Sequence, residues 1–310
     1  MPESRELIRL ETSVDAMGTT FSVVLHGNHR DKMEEAANTA LSEVQRLNNL
    51  LSIHRPESAW SQINRLAGHR PVTVSPEVFQ LITRCLRYSR RTGGAFDITV
   101  GPLMKTWGFS KGPGRLPSGD EVAAALAKVG CRHLALDPAR RAVRFDMEGV
   151  EINPGGIGKG YAVDRMVAIL RNKGFNTALV MASSSSIYGM GSPPGQPRGW
   201  KVSIRNPRRP RRHAAAELFL KDMSLSTSAS YAQSFRAGGR SYSHIMDPRT
   251  GCPAQGMLLV SVTAPRAIDS EAWTKPFFIH GRAWAAKNRP KRLNAFFCED
   301  GPEQDWGWLP

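Results

Sequence analysis

Ile152-Asn153-Pro154-Gly155-Gly156-Ile157-Gly158-Lys159-Gly160-Tyr161-Ala162-Val163-Asp164 is the stretch on which the reading of this chain turns. Glycines and a lysine crowd a short loop that runs straight into an amphipathic segment. Residues without a Cβ let backbone N–H groups approach a ligand, and the start of a helix adds partial positive charge. Both features suit phosphate oxygens. The loop nevertheless fits neither common phosphate fingerprint. Gly160, not Ser or Thr, follows Lys159, and the glycines at 156, 158 and 160 miss the GxGxxG spacing. On these residues alone an anion cradle and a tight strand-to-helix turn are both open.

Working outward, Tyr161–Lys173 reads as a helix with Ala162, Met166, Val167 and Leu170 inward and Gly174 as its terminator. Upstream, Met33, Ala36, Ala37, Ala40, Leu41, Val44 and Leu47 recur at helical spacing over Asp31–Leu51. Ser75-Pro76 starts a further helix that Gly93-Gly94 ends, and Ser118-Gly119-Asp120-Glu121 is a capping box. His133–Leu136 and Ala142–Phe145 read as a hairpin, and strands are expected at Thr177–Ala182, Trp200–Ile204, Glu217–Leu220, Leu258–Thr263 and Leu293–Phe297. Helices and hairpins mix without βαβ alternation, which predicts an α+β fold with mixed or antiparallel sheets and flanking helices. No internal boundary is evident, so residues 1–310 are read as one domain.

The chain is long enough for one large core or two modest ones, and its 41% hydrophobic content is that of a folded protein. A net charge of +15 is less ordinary, and the excess is densest in Arg198–His213. Such a run can meet nucleic acid, anionic lipid or a phosphorylated substrate, or can simply be a solvated loop. Cys85, Cys131, Cys252 and Cys298 show no CxxC spacing, which argues against a zinc site or disulfide framework. No apolar run approaches membrane-spanning length. The first residues lack the apolar core of a secretory signal, so the expectation is a cytoplasmic protein unless an export segment is missing from the chain.

Three further polar clusters could carry chemistry. Gly94-Ala95-Phe96-Asp97 joins a helix end to an apolar run, where Asp97 can accept from a ligand or cap the next turn. Ser226-Thr227-Ser228 offers hydroxyls in a row, or a helix N-cap. Ser243-His244-Ile245-Met246-Asp247-Pro248-Arg249-Thr250-Gly251 packs imidazole, carboxylate, guanidinium and hydroxyl around one turn. An imidazole titrates at about 6.5, so His244 can take a proton near neutrality. Asp247 can orient that ring or hold the turn, and Asx-type bonding before proline favours the turn.

These clusters, in this order and with Met17-Gly18-Thr19 and Leu51-Ser52 through Ser58 to Asn64, resemble the ApbE family of FAD:protein FMN transferases. The resemblance runs from Met17 to about Gly281. It implies a two-lobed protein that binds FAD in the cleft between lobes and, with Mg²⁺, transfers FMN to a threonine hydroxyl of an acceptor protein, releasing AMP. It implies that Met17, Ala95, Phe96, Asp97, Asn153, Lys159 and Ile245 contact FAD, and that His244 is the base. The Gly156 carbonyl and Thr274 hydroxyl would lie at the metal.

The chain also departs from the family pattern. His54 stands where the family often has a flavin-stacking Tyr, and Ser183–Ser186 replaces a Gly-Gly. The family's metal-binding Asp four residues before a Thr is here Ser270, flanked by Asp269 and Glu271. Serine is a far weaker magnesium ligand than a carboxylate. Glu271 can share a helix face with Thr274 and is preferred over Asp269 as the substitute. The rival readings are an FAD binder or an FAD hydrolase (giving FMN and AMP) with a weakened metal site, and a nucleic-acid-binding protein using the Arg198–His213 run. No recognition-helix or aromatic-sheet motif supports the last, so no specific nucleic-acid partner is expected.

Overall fold

The computed structural model describes residues 7–209 and 213–310. Its centre is an eight-stranded sheet whose spatial order repeats the order along the chain. The strands are Ile8–Ala16, Thr19–Gly27, Ala178–Ala182, Ser186–Met190, Met223–Ala229, Met257–Ala264, Asn294–Glu299 and Gly307–Trp308. Every neighbouring pair in it is antiparallel. The expected α+β class is observed, in the antiparallel form. Short antiparallel ribbons follow the hairpin reading at Leu134–Asp137 and Ala142–Phe145, which Val72–Thr73 extends.

Helices cover the sheet because their apolar side chains have no other place to hide. The helix Arg30–Leu51 buries Met33, Ala36, Ala37, Ala40, Leu41, Val44 and Leu47, the predicted set, together with Leu51. Its small alanines let it lie close to Phe21, Val23 and Leu25 of the sheet and to Ala162, Val163 and Met166 of the helix Gly158–Asn172. The long helix Ala267–Asn288 packs on strands Met223–Ala229 and Met257–Ala264. Its Trp273, Phe277 and Phe278 enter a second core with Trp60, Ile82, Phe96 and Phe145. That core holds the helix Pro76–Arg91, which starts where Ser75 accepts from Val78 N–H and proline fills the first turn. The Ser118 capping box also forms. The four cysteines are free thiols, and Cys85 is fully buried on its helix.

The structure adds to the sequence reading in three places. The strands Ile8–Ala16 and Thr19–Gly27 pair with each other at the sheet margin, and the outer one alternates with charged residues. Ser226-Thr227-Ser228 caps no helix but lies within the strand Met223–Ala229. Ala267–Asn288 shows no apolar stripe because it is buried on several sides, and Gly281 interrupts it at φ +79°. Among the described residues, no helix is long and apolar enough to cross a membrane.

Candidate active site

The clusters picked out in the sequence converge on one cavity of about 190 Å³. Ala95, Phe96 and Asp97 line it from one side, Asn153, Gly155, Gly156 and Lys159 from another, and His244 and Ile245 from a third. Thr227, Ser228, Glu271 and Lys275 close it. A second cavity of about 330 Å³ adjoins it through Asn153, Gly155 and Lys159 and is lined by Met17, Gly18, Asn48 and His54. Met17 itself adopts φ +51°, and its N–H donates to Asn48 Oδ1 at 2.9 Å. Every predicted FAD-contacting residue therefore sits on one of two joined hollows.

The glycines of the opening loop divide into two jobs. Gly155 and Gly156 face the cavity, and Asn153 Oδ1 accepts from Gly155 N–H at 2.8 Å, which shapes the turn. Gly160 does something else. A Cβ there would stand 2.3 Å from the Ala267 carbonyl oxygen and 2.9 Å from Glu271 Oε2. Gly160 therefore lets the helix Gly158–Asn172 press against Ala267–Asn288, and its N–H donates to Glu271 Oε2 at 2.5 Å. Asp164, on the same helix, accepts from Ala267 and Ile268 N–H at 2.7 and 3.2 Å, so it caps the long helix across the interface. Burial raises its carboxyl to about 6.

Glu271 is almost wholly enclosed, at 3% exposure, and its other oxygen lies 3.6 Å from Lys159 Nζ. Lys275, one turn further along the helix, donates from Nζ to the Glu271 carbonyl oxygen at 3.1 Å. Burial lowers the Lys275 ammonium to about 8, with Glu271 opposing and Lys159 adding to the fall. The sequence reading did not name Lys275. The available signal was its position four residues after Glu271, which places both on one helix face.

Two expected metal ligands point elsewhere. Ser270 does not line the cavity; its hydroxyl meets Ser224 and Ser226 Oγ at 2.9 and 2.7 Å and donates to the Ala267 carbonyl at 3.0 Å. Ser226 in turn meets Ser186 Oγ at 2.9 Å, so buried serines form a chain of hydroxyls there. The Thr274 hydroxyl accepts from Ser228 and donates to the Glu271 carbonyl, both at 2.8 Å. Both side chains are fully buried. The other carboxylate weighed, Asp269, is bonded by the Tyr88 hydroxyl, away from the cavity. Ser183 takes the left-handed φ of +48° that a glycine would supply at no cost.

His244 Nδ1 lies 3.2 Å from the Gln233 carbonyl, which can only accept. That contact assigns the proton to Nδ1 and leaves the Nε2 lone pair as acceptor. Burial lowers the imidazole pKa, and the nearby Lys275 and Lys159 lower it further against the Gln233 contact. Asp247 does not touch the ring. Its oxygens take Arg249 N–H, Nε and a terminal nitrogen at 3.0, 2.8 and 2.7 Å, and its own N–H reaches the Cys252 carbonyl. Of the two roles open to Asp247, this is the turn-holding one. Asp97 is likewise engaged, by Thr99 N–H and hydroxyl at 2.8 and 2.6 Å and by Cys131 N–H at 2.8 Å.

In the basic run, Arg208 and Arg209 approach Asp300 and Glu303 at 3.4 and 3.9 Å, and Arg198 lies over Phe219. These three arginines are engaged within the fold. Arg211 and Arg212 lie outside the described residues.

The ApbE family model matches residues 17–297. An FAD:protein FMN transferase of Klebsiella pneumoniae is 31% identical over 86% of this chain and 77% of its own length. One from Treponema pallidum is 31% identical over 78% and 71%. Among solved structures, the ApbE protein of Thermotoga maritima superposes with a TM-score of 0.87 at 28% identity, covering 95% of each chain. The apo flavinyl transferase ApbE of Pseudomonas stutzeri gives 0.83 at 26% identity, over 98% of this chain and 94% of its own.

Proposed function

Because the chain belongs to the ApbE family, and with it to the flavin transferases, we propose that it moves FMN from FAD to a threonine hydroxyl of an acceptor protein and releases AMP. One observation carries the chemistry: His244, whose Nδ1 contact leaves Nε2 as the acceptor, and the residues Gly155, Gly156 and Lys159 line the same hollow. The backbone around Gly156 and the Lys159 ammonium receive the diphosphate, and the flavin and adenosine parts spread into the joined cavities beside Phe96, Ile245, Met17 and His54. The threonine oxygen attacks the FMN phosphorus while Nε2 takes its proton. The bond to the AMP phosphate breaks, and that phosphate leaves with the electron pair. General-base assistance of this kind is worth roughly 10²–10⁴-fold, and fixed charge at the phosphates supplies much of the remainder.

Magnesium, which the family resemblance implies, does not fit the donors present. The Ser270 and Thr274 hydroxyls are spent on buried partners, Glu271 is held by Gly160 N–H, and two ammonium groups stand beside it. The steps above accordingly run on protein groups alone. Incubation with FAD and a threonine-bearing acceptor protein tests the reading. Acid-stable fluorescent acceptor with AMP released is the expected result. FMN and AMP without labelled acceptor would identify a hydrolase, and retained FAD with neither product an FAD binder.

A further inference from the structure

We propose that Lys275, beside Lys159, supplies at the diphosphate the positive charge expected of a divalent cation, so that this chain engages FAD and transfers FMN without a metal. The proposal rests on the reading that the cavity takes FAD.

Helix geometry sets the choice of side chains. Residues four apart on Ala267–Asn288 share a face, and two such pairs compete for the cavity: Ser270 with Thr274, and Glu271 with Lys275. The first pair is turned into the serines of Met223–Ala229, and the second lines the hollow. The Lys275 stem passes over the glycine loop, since a Cβ on Gly156 would lie 3.6 Å from its Cε. Its ammonium is anchored on the Glu271 carbonyl at 3.1 Å, so its position is fixed before a ligand arrives.

A magnesium ion asks for near-octahedral oxygens at about 2.0–2.1 Å and gives up its waters reluctantly. Two carboxylates line the hollow, and Asp97 is saturated by Thr99 and Cys131, which leaves Glu271. Its oxygens are already committed to Gly160 N–H and the Lys159 ammonium. An ion seated there would have to displace those donors and stand against two like charges. A diphosphate faces no such cost. Two ammonium groups already stand beside Glu271, and a lysine binds phosphate as a point charge without demanding coordination geometry. In the transfer, the oxygen of the departing AMP phosphate gains negative charge as its bond to the FMN phosphorus breaks. The Lys275 and Lys159 ammonium groups meet that charge, while the hydroxyl proton goes to His244.

The test uses the full chain, stripped of divalent ions with EDTA. FAD affinity is read by quenching of flavin fluorescence, and metal binding by the loss of free Mn²⁺ signal in electron paramagnetic resonance. The expected dissociation constants in EDTA and in Mg²⁺ agree within about twofold. The protein–FAD complex should remove no more Mn²⁺ than FAD alone. Lys275→Met should weaken FAD about 10- to 100-fold in both conditions, the loss expected for a charge-assisted hydrogen bond, and Lys275→Arg should recover most of it. One Mn²⁺ taken up per complex, or FAD binding that EDTA abolishes and Mg²⁺ restores, overturns the proposal. A folded Lys275→Met that binds FAD as wild type does overturns it equally. The chelator and Mn²⁺ measurements need no variant, so they decide the matter even if Lys275→Met misfolds. FAD held in EDTA through Lys275, with no FMN transferred to any acceptor and no AMP released, would sink the transferase reading and leave the metal-free site standing.

Discussion

Gly160→Ala separates the two jobs assigned to the glycine loop. If Gly160 is a packing residue, its new methyl meets the Ala267 carbonyl at 2.3 Å and Glu271 Oε2 at 2.9 Å, and one of those contacts is backbone that cannot swing aside. Overpacking of this sort costs about 1–3 kcal/mol. Moving the helices apart also breaks the 2.5 Å bond from Gly160 N–H to a buried carboxylate, worth about 1.5–3 kcal/mol. Alanine returns about 1 kcal/mol of helix propensity. The net loss is about 1.5–5 kcal/mol, or a fall in melting temperature of roughly 2 °C per kcal/mol for a chain this long. The control is Gly156→Ala, whose methyl would touch Phe96 and Lys275 at 3.5 and 3.6 Å, ordinary contact distances. That variant should melt within about 1 °C of wild type and lose FAD affinity by filling the cradle. Urea and thermal denaturation of the two variants, beside FAD titration, give the answer. A Gly160→Ala protein as stable as wild type but unable to bind FAD would refute the division of labour.

His244→Gln should keep FAD bound while transfer falls roughly 10²–10⁴-fold, and unchanged transfer in single-turnover AMP release would remove His244 as the base. Because burial, Lys275 and Lys159 hold the imidazole below its ordinary value, the neutral, proton-accepting form persists as pH falls through 6.5. The acid limb of kcat/KM should therefore bend below pH 6.5, and a bend above it would contradict the burial argument. Asp164 runs the other way: its folded value of about 6 exceeds the unfolded one near 3.8, so its contribution is full below 3.8 and is lost as pH rises through 6. Asp164→Asn cannot accept both cap bonds and should be less stable at pH 4, but the gap should narrow by up to about 3 kcal/mol by pH 7; a pH-independent gap in urea denaturation would show the carboxyl does not titrate in that window. Asp269→Ala, which loses only the bond from Tyr88 outside the cavity, should leave FAD affinity within about twofold of wild type.

What the sequence made legible was local. Arg30–Leu51 declared itself because its apolar residues repeat at the period of the helix, and the Ser75 and Ser118 caps because their partners lie three residues away. The strand Met223–Ala229 was opaque for the opposite reason. Its serines look like turn or cap residues until Ser270, Ala264 and Ser186 arrive from distant segments to satisfy them. The site shows the same limit at finer scale. Counting back from Thr274 gives Ser270 and a weak ligand set; counting back from Lys275 gives Glu271, and both of these charged residues line the hollow. Spacing cannot choose between them, because each pair obeys the same four-residue rule, and one residue of register swings a helical side chain by about 100°. Burial chooses. The hydroxyl pair can be hidden cheaply against other hydroxyls, whereas Glu271 and Lys275 carry charges that hydroxyls alone would leave uncompensated. The helix therefore settles with its charges toward the glycine loop, and the electrostatics of that cavity follow from where the uncharged residues could be put away.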